Sequence, residues 1–561
     1  MKGLFLITLF VFSLNSFGAE NPYLLFRDID QKLGSLDLSY QNKSLSKEQT
    51  LEMAFENYKE IKNLQLRLRN FSEELNVDVI DRINRGVAII GQDLTIIHKS
   101  VKYFLHLNSR MLSLSSKFTP DEIDDLDEAL ITTDELESRE NLLWFAIQLS
   151  VIDDYLLGYR NWMKNQKFRR IVNAEDSSYN IKRKELKKYI HSLLAKKHQK
   201  MLNKATEGFD NFPTWRSRHR NRNSQFAKFE AEVETISAKS FVGDKKAVKD
   251  LRKELRKAYR KDGFKNFWTF SLHHISGFVG NIAGAIKWRK GWLYKRPEVN
   301  KEIYAHLEPL DMITEKTPFI LTDTLIPGHF GHNAIWLGTK EQLIAYGLWN
   351  HPRIKPVQHL IEQGKSIIES DRTDTHLKSI EDFMKVDEFA IMRNKKILTK
   401  NKKQIEKIYD VALSQLGKTY DFNFDVETTD KLVCSELLYQ SFGHVAWPTE
   451  KYIGRTTISP DNVGELLLYG KTPNKLVYYV AAYERDDLVR KDLKDMGKDM
   501  GYRFNEERST PEYPYFEKPV KNCRKIVRDE KIWRSCGTTW KHNIYNAPVE
   551  REFPDLGELG L

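Results

Sequence analysis

Three cysteines occur in the 561 residues, and their surroundings set one apart from the other two. Cys434 follows Lys431-Leu432-Val433 and opens the run Ser435-Glu436-Leu437-Leu438-Tyr439-Gln440. That run reads as a helix with Leu437, Leu438 and Phe442 on its apolar side. A cysteine at a helix's first turn faces unpaired backbone N–H groups, which favour an anion. Thiol chemistry needs such help, because the nucleophile is the thiolate and its pKa must be lowered by a helix N-terminus or an imidazolium. The same N–H groups could receive a developing oxyanion. Glu436, a carboxylate in the first turn, is expected to support the helix start.

Imidazoles lie about 100 residues earlier. Ile326-Pro327-Gly328-His329-Phe330-Gly331 is turn-rich, and His332 opens the strand-like run Asn333-Ala334-Ile335-Trp336-Leu337. Gly364-Lys365-Ser366-Ile367-Ile368-Glu369 then puts a carboxylate at the end of a second short strand. Gly417-Lys418-Thr419-Tyr420-Asp421-Phe422 precedes the cysteine. No HExxH or matched Cys/His spacing accompanies these residues or the pair His273-His274, so neither metal nor cofactor is expected. Cys523 and Cys536 lie close together in the chain and form a candidate disulfide, which leaves Cys434 as an odd thiol.

The elements around these residues fall into two regimes. From about Ser46 to Lys261 the pattern is helical almost throughout, and prolines are nearly absent from it. Ser46-Lys47-Glu48-Gln49 resembles a capping box, followed by Leu51, Phe55, Tyr58, Ile61, Leu64, Leu68 and Phe71 at three-to-four spacing. Further helices are expected over 77–112, 134–165, 179–204, 224–240 and 244–261. From about Ile303 the period changes to short β-type runs at 311–315, 333–337, 366–369, 388–392 and 476–481, with helices at 402–416 and 435–442. The expected organisation is an N-terminal signal at 1–19, an all-α bundle at 20–262 and an aromatic and basic connecting segment at 263–302. An α+β catalytic domain at 303–482 and a C-terminal extension at 483–561, fastened by the candidate disulfide, complete it.

The order and spacing of these motifs resemble the circularly permuted papain-like hydrolases, the YiiX/YebB-type relatives of NlpC enzymes. There the histidine strand precedes the cysteine helix, the reverse of papain. The resemblance covers roughly 303–480, including Gly454-Arg455-Thr456-Thr457-Ile458-Ser459-Pro460-Asp461. It implies Cys434 as nucleophile, His332 as base and Glu369 as the carboxylate that orients the imidazole. His329 is the rival base, and Asn333 the rival partner to Glu369. Tyr420 and Ser435 are candidates for substrate or oxyanion support, with core packing the competing role for Tyr420.

Bulk properties narrow the setting. Hydrophobic residues make up 40% and charged ones 30%, a soluble and foldable composition. Met1-Lys2, the apolar run Leu4–Leu14 and the small residues up to Ala19 have the order of a secretory signal, so a periplasmic or extracellular protein is expected. The net charge of +11, concentrated between Lys182 and Arg296, suits an anionic surface or a set of solvated helix faces. The expected activity is cleavage of an amide bond in cell-envelope material such as peptidoglycan. An acyl-lipid hydrolase or acyltransferase, touching membrane through the aromatic-basic segment, is the first alternative. A non-catalytic envelope scaffold is the second. No nucleic-acid partner is expected, and the sequence leaves the oligomeric state open.

Overall fold

The computed structural model describes residues 21–36, 45–85, 87–121, 125–211, 225–262, 289–317, 328–397, 402–421, 425–452, 455–510, 513–528 and 531–548. The expected signal, residues 263–288 of the aromatic-basic segment, Ile326-Pro327, Phe422 and Gly454 lie outside the described residues.

The helical half begins with Pro22–Ser35, capped by Asn21, a helix the apolar spacing did not single out. Helix Lys47–Asn84 follows and is started by a capping box: Gln49 N–H donates to Ser46 Oγ (3.2 Å), and Ser46 N–H donates to Gln49 Oε1 (2.9 Å). Its apolar stripe from Leu51 to Phe71 continues unbroken through Leu75 and Val79, all buried. The expected second helix from 77 is therefore corrected: the first runs to Asn84, and the next is Gly91–Ser115. The break is set from outside the segment. Ile90 supplies no side-chain cap, and the Gly443 carbonyl accepts the Gln92 N–H at 3.1 Å instead. A Cβ on Gly91 would fall on the Tyr439 carbonyl, so glycine permits this close approach.

Helix Glu135–Asp154, started by Asp134, is apolar on nearly every side and continues through a π-turn at Tyr155–Tyr159. Glu135–Lys164 is long and apolar enough to cross a bilayer, but 83% of its most apolar stretch is buried within the protein, as in a core helix. The expected helices at 179–204 and 224–240 are each divided, into Glu185–Leu193 and Lys196–Asn211, and into Gln225–Thr235 and Ala238–Gly243.

The second half is built on an antiparallel sheet. Its strands are β1 (Met312–Lys316), β2 (His332–Trp336), β3 (Ile367–Ser370), β4 (Thr375–Lys378), β5 (Glu388–Asn394), β8 (Asn474–Ala482) and β9 (Leu488–Arg490), in the order β4-β3-β2-β1-β5-β8-β9. β6 (Glu450–Tyr452) and β7 (Arg455–Thr457) form a small separate pair. Five of the seven sheet strands fall on expected β runs; β4 and β9 are additional. Period-two alternation sends Ile313, Ala334, Ile367 and Ile391 to one face, under Val299 and Ile303 of helix Pro297–His306. Met312, Ile335, Ile368 and Met392 face the other way, toward Leu437 and Leu438 of the cysteine helix.

That second core does not stop at the catalytic half. One continuous apolar cluster includes Leu64, Phe104 and Leu149 from the helices together with Leu437, Tyr439 and Tyr479. Buried polar contacts cross the same boundary. Tyr439 Oη donates to the Ile89 carbonyl (2.7 Å), and Lys418 Nζ to Asp176 Oδ1 (3.0 Å). After β9, helix Leu493–Asp499, β10 (Arg503–Phe504), β11 (Phe516–Arg528) and β12 (Lys531–Lys541) complete the described chain. Cys523 and Cys536 stand directly opposite in the β11–β12 ladder and are joined by a disulfide. The C-terminal segment is thus an ordered ribbon, where the sequence suggested only a turn-rich extension.

Candidate active site

Cys434 is the first residue of helix Cys434–Ser441, one residue earlier than the expected start at 435, and is 4% exposed. Glu436 Oε2 accepts the Val433 N–H at 2.9 Å, so this carboxylate does fasten the helix start. Burial pushes its pKa well above the ordinary carboxylate range, with nearby Asp421 adding to the effect.

β2 begins at His332, and its antiparallel register with β3 sets Ala334 opposite Glu369. His332 and Ala334 share a face, so the register brings His332 to Glu369: Nε2 to Oε2 is 2.9 Å. The other ring nitrogen, Nδ1, is left for Cys434, whose charge acts on the ring. Burial opposes an imidazolium here, yet the Cys434 charge and the hydrogen bonds to Cys434 and Glu369 raise the His332 pKa well above its usual value. For Cys434 burial raises the pKa, but the His332 charge, its hydrogen bond and the Asn333 backbone N–H bring it below that of an ordinary thiol. Both directions favour a thiolate–imidazolium pair.

Glu369 is 1% exposed and is not reserved for His332. β4 pairs with β3 so that His376 lies opposite Glu369, and His376 Nε2 reaches Glu369 Oε1 at 3.3 Å. Lys378, two residues along the same face, donates to the same oxygen. Burial alone would raise the Glu369 pKa; the three cationic partners instead hold it well below the usual range. His376 is in turn raised to about 9, first by its hydrogen bond to Glu369. Reading the sequence missed both residues. The signal was slight: Thr375-His376-Leu377-Lys378 alternates polar and apolar, but only over four residues.

The other candidates separate. Asn333 points to the opposite face, where its Nδ2 donates to Ser435 Oγ at 2.9 Å, so its side chain does not share the Glu369 position. Ser435 Oγ, fully buried, lies 3.8 Å from Cys434 Sγ. Tyr420 forms a parallel bridge with Leu432, and its hydroxyl pKa is raised by burial and then by the charge of Cys434. His329 Nε2 instead meets Glu388 Oε2 (3.1 Å) and Tyr479 Oη (3.3 Å). Its loop is clamped by Asp461, whose Oδ1 accepts the N–H groups of His329 (2.8 Å) and Phe330 (2.7 Å). Gly328, at φ +127°, leaves room for that carboxylate. Asp461 closes the Ser459-Pro460-Asp461 motif and thereby fixes the loop that delivers His332, a part the sequence did not reveal.

Among the described residues, two groups bring potential metal-ligand atoms within 4.8 Å of one another: His329, Glu388 and Asp499, and Glu369, Asp371 and His376. In each, a lysine ammonium already engages the carboxylates, Lys491 in the first and Lys378 in the second.

An antiparallel sheet whose histidine strand precedes a cysteine-bearing helix defines a cysteine hydrolase of papain-like architecture in permuted order. Residues 306–508 match the family model described as permuted papain-like amidase enzyme, YaeF/YiiX, C92 family. This part of the chain is accordingly a cysteine-type, papain-like amidase domain similar to that family, and the helical half lies outside the match. No curated protein and no solved structure gives a match.

Proposed function

We propose that the protein is an exported thiol hydrolase that cleaves amide bonds of cell-envelope peptides, with Cys434 as nucleophile, His332 as base and acid, and Glu369 as the orienting carboxylate. The Glu369–His332–Cys434 chain carries this reading, because its partners move all three pKa values toward the charged, reactive forms. Cys434 Sγ attacks the amide carbonyl carbon, and the carbonyl π electrons move to oxygen. The oxyanion forms near the first-turn N–H groups of helix Cys434–Ser441. His332 gives its Nδ1 proton to the leaving nitrogen as the C–N bond breaks, leaving a thioester. Water, deprotonated by Nδ1, then attacks the thioester; Sγ departs and the carboxylic acid is released.

Export and an envelope substrate are supported by the signal-like pattern at Met1–Ala19, the net charge of +11 and the Cys523–Cys536 disulfide, a bond favoured in oxidising compartments. The test is incubation of full-length protein with purified sacculi, followed by mass spectrometry of the released peptides. New amine and carboxylate ends, absent with Cys434→Ala, are the expected result. Intact sacculi alongside Cys434-dependent release of fatty acid from phospholipid vesicles would overturn the amide reading in favour of the lipid one.

A further inference from the structure

Three strands along from β2, beyond β1 and β5, a cavity of about 440 Å³ opens beside β8, helix Leu493–Asp499 and the Tyr513-Pro514 segment. Its size is that of a small-ligand site. Three lysines line it, Lys395, Lys471 and Lys475, and among the described residues no carboxylate forms an ion pair with any of them. Lys395 Nζ reaches only the Thr472 carbonyl, at 3.1 Å. Its pKa is lowered by burial and by the neighbouring Lys475 charge, as in a site with excess positive charge. A fourth lysine, Lys491, is committed to Asp499 and Glu388. The lining carboxylate, Asp492, accepts the Lys494 and Asp495 N–H groups of the adjoining helix.

Asn474 supplies a second, independent observation. It is 1% exposed and lines the cavity, and neither its Oδ1 nor its Nδ2 has a hydrogen-bond partner. An unpaired buried amide of this kind is costly to leave unmatched, so it calls for a partner. One acceptor beside two donors suits vicinal hydroxyl groups. Tyr469 and the half-exposed Tyr513 add aromatic faces to the same wall.

We propose that this cavity is a second binding site, for an anionic sugar unit: a single ring carrying a carboxylate or a phosphate. The lysines take the anion, Asn474 the ring hydroxyls and the tyrosines the ring face. The site does not depend on the chemistry at Cys434, so binding tests it whatever the catalytic assays show.

The experiment is calorimetric titration of the full-length protein with glucuronate, glucose 6-phosphate, glucose and inorganic phosphate. At least one anionic sugar is expected to bind at least about tenfold more tightly than glucose or phosphate, and the tighter of the two names the anion. The exposed double substitution Lys471→Glu/Lys475→Glu is expected to weaken that binding by about tenfold or more. Asn474→Ala should weaken it comparably, with circular dichroism checking that the variant folds. No heat from either anionic sugar up to about 10 mM would overturn the proposal. Equal affinity for free phosphate, or unchanged affinity in the folded double variant, would overturn it as well.

Discussion

Glu369 satisfies three cations with two oxygens, and that sharing governs what its neighbours do. Cys434→Ala and His332→Ala should each reduce amide cleavage by at least about 1,000-fold, whereas Glu369→Gln, which keeps a hydrogen-bond acceptor, should cost about 10- to 100-fold. Steady-state rates of the three variants check this ordering; wild-type rates in His332→Ala would remove it as the base. His376 and Lys378 compete with His332 for the Glu369 charge. Losing the His376 cation should leave more of that charge to His332, so His376→Gln should shift the alkaline limb of Cys434 alkylation to higher pH. The same residue leaves a mark on stability. Its folded pKa of about 9 exceeds the unfolded value of about 6.5, so its contribution is complete below the latter and disappears as pH rises through the former. Thermal unfolding of wild type and His376→Gln should differ at pH 6 and converge near pH 10.

Among the elements, helix Glu135–Asp154 carries a case with the same sign but another cause. Asp154 is 4% exposed, and burial raises its pKa to about 7, with the Asn108 Nδ2 bond (2.7 Å) resisting the shift. A folded pKa above the unfolded value of about 3.9 means that stability falls as pH rises through this interval. Asp154→Asn removes that penalty, so its melting temperature relative to wild type should be higher at pH 8 than at pH 5. Legibility in the sequence also divides by element. The start and stripe of helix Lys47–Asn84, though not its end, could be read because the stripe and capping box are local, and β2 because a glycine-rich turn precedes an apolar run. The start at Gly91 could not, since the group that caps it is the Gly443 carbonyl, over 300 residues away. His376 and Lys378 were hidden for a related reason. Their role exists only through the β3–β4 register, and a four-residue strand carries too little pattern to announce it. His332 and Glu369 were visible through the order of the motifs and the family they resemble, although only the β2–β3 pairing makes them neighbours.

At the scale of the whole molecule, the helical half is part of the enzyme's core. Helix Cys434–Ser441 has the sheet on one side and helix Gly91–Ser115 on the other, and they meet through Gly91 and Gly443 with almost no space between. Gly443→Ala should therefore cost about 1–3 kcal/mol in stability and slow catalysis without touching the thiol, which chemical denaturation and rate measurements would show together. Residues 306–508 expressed alone should be poorly soluble, because the apolar surface that meets Leu64, Phe104 and Leu149 would face water. A soluble, fully active fragment would contradict this.

The shared core also places the parts in time. A ribosome delivers the helices first, then the base on β2, and the nucleophile about 100 residues later. N-terminal portions of a chain generally fold first during synthesis, so the helices can wait as a preformed wall. The last interior pieces to arrive, down to Met496, complete the core that includes Leu437 and Leu438 of the cysteine helix. An unfinished chain thus lacks the packing that holds the thiol beside its base, and reactivity is expected to begin with completion of the fold.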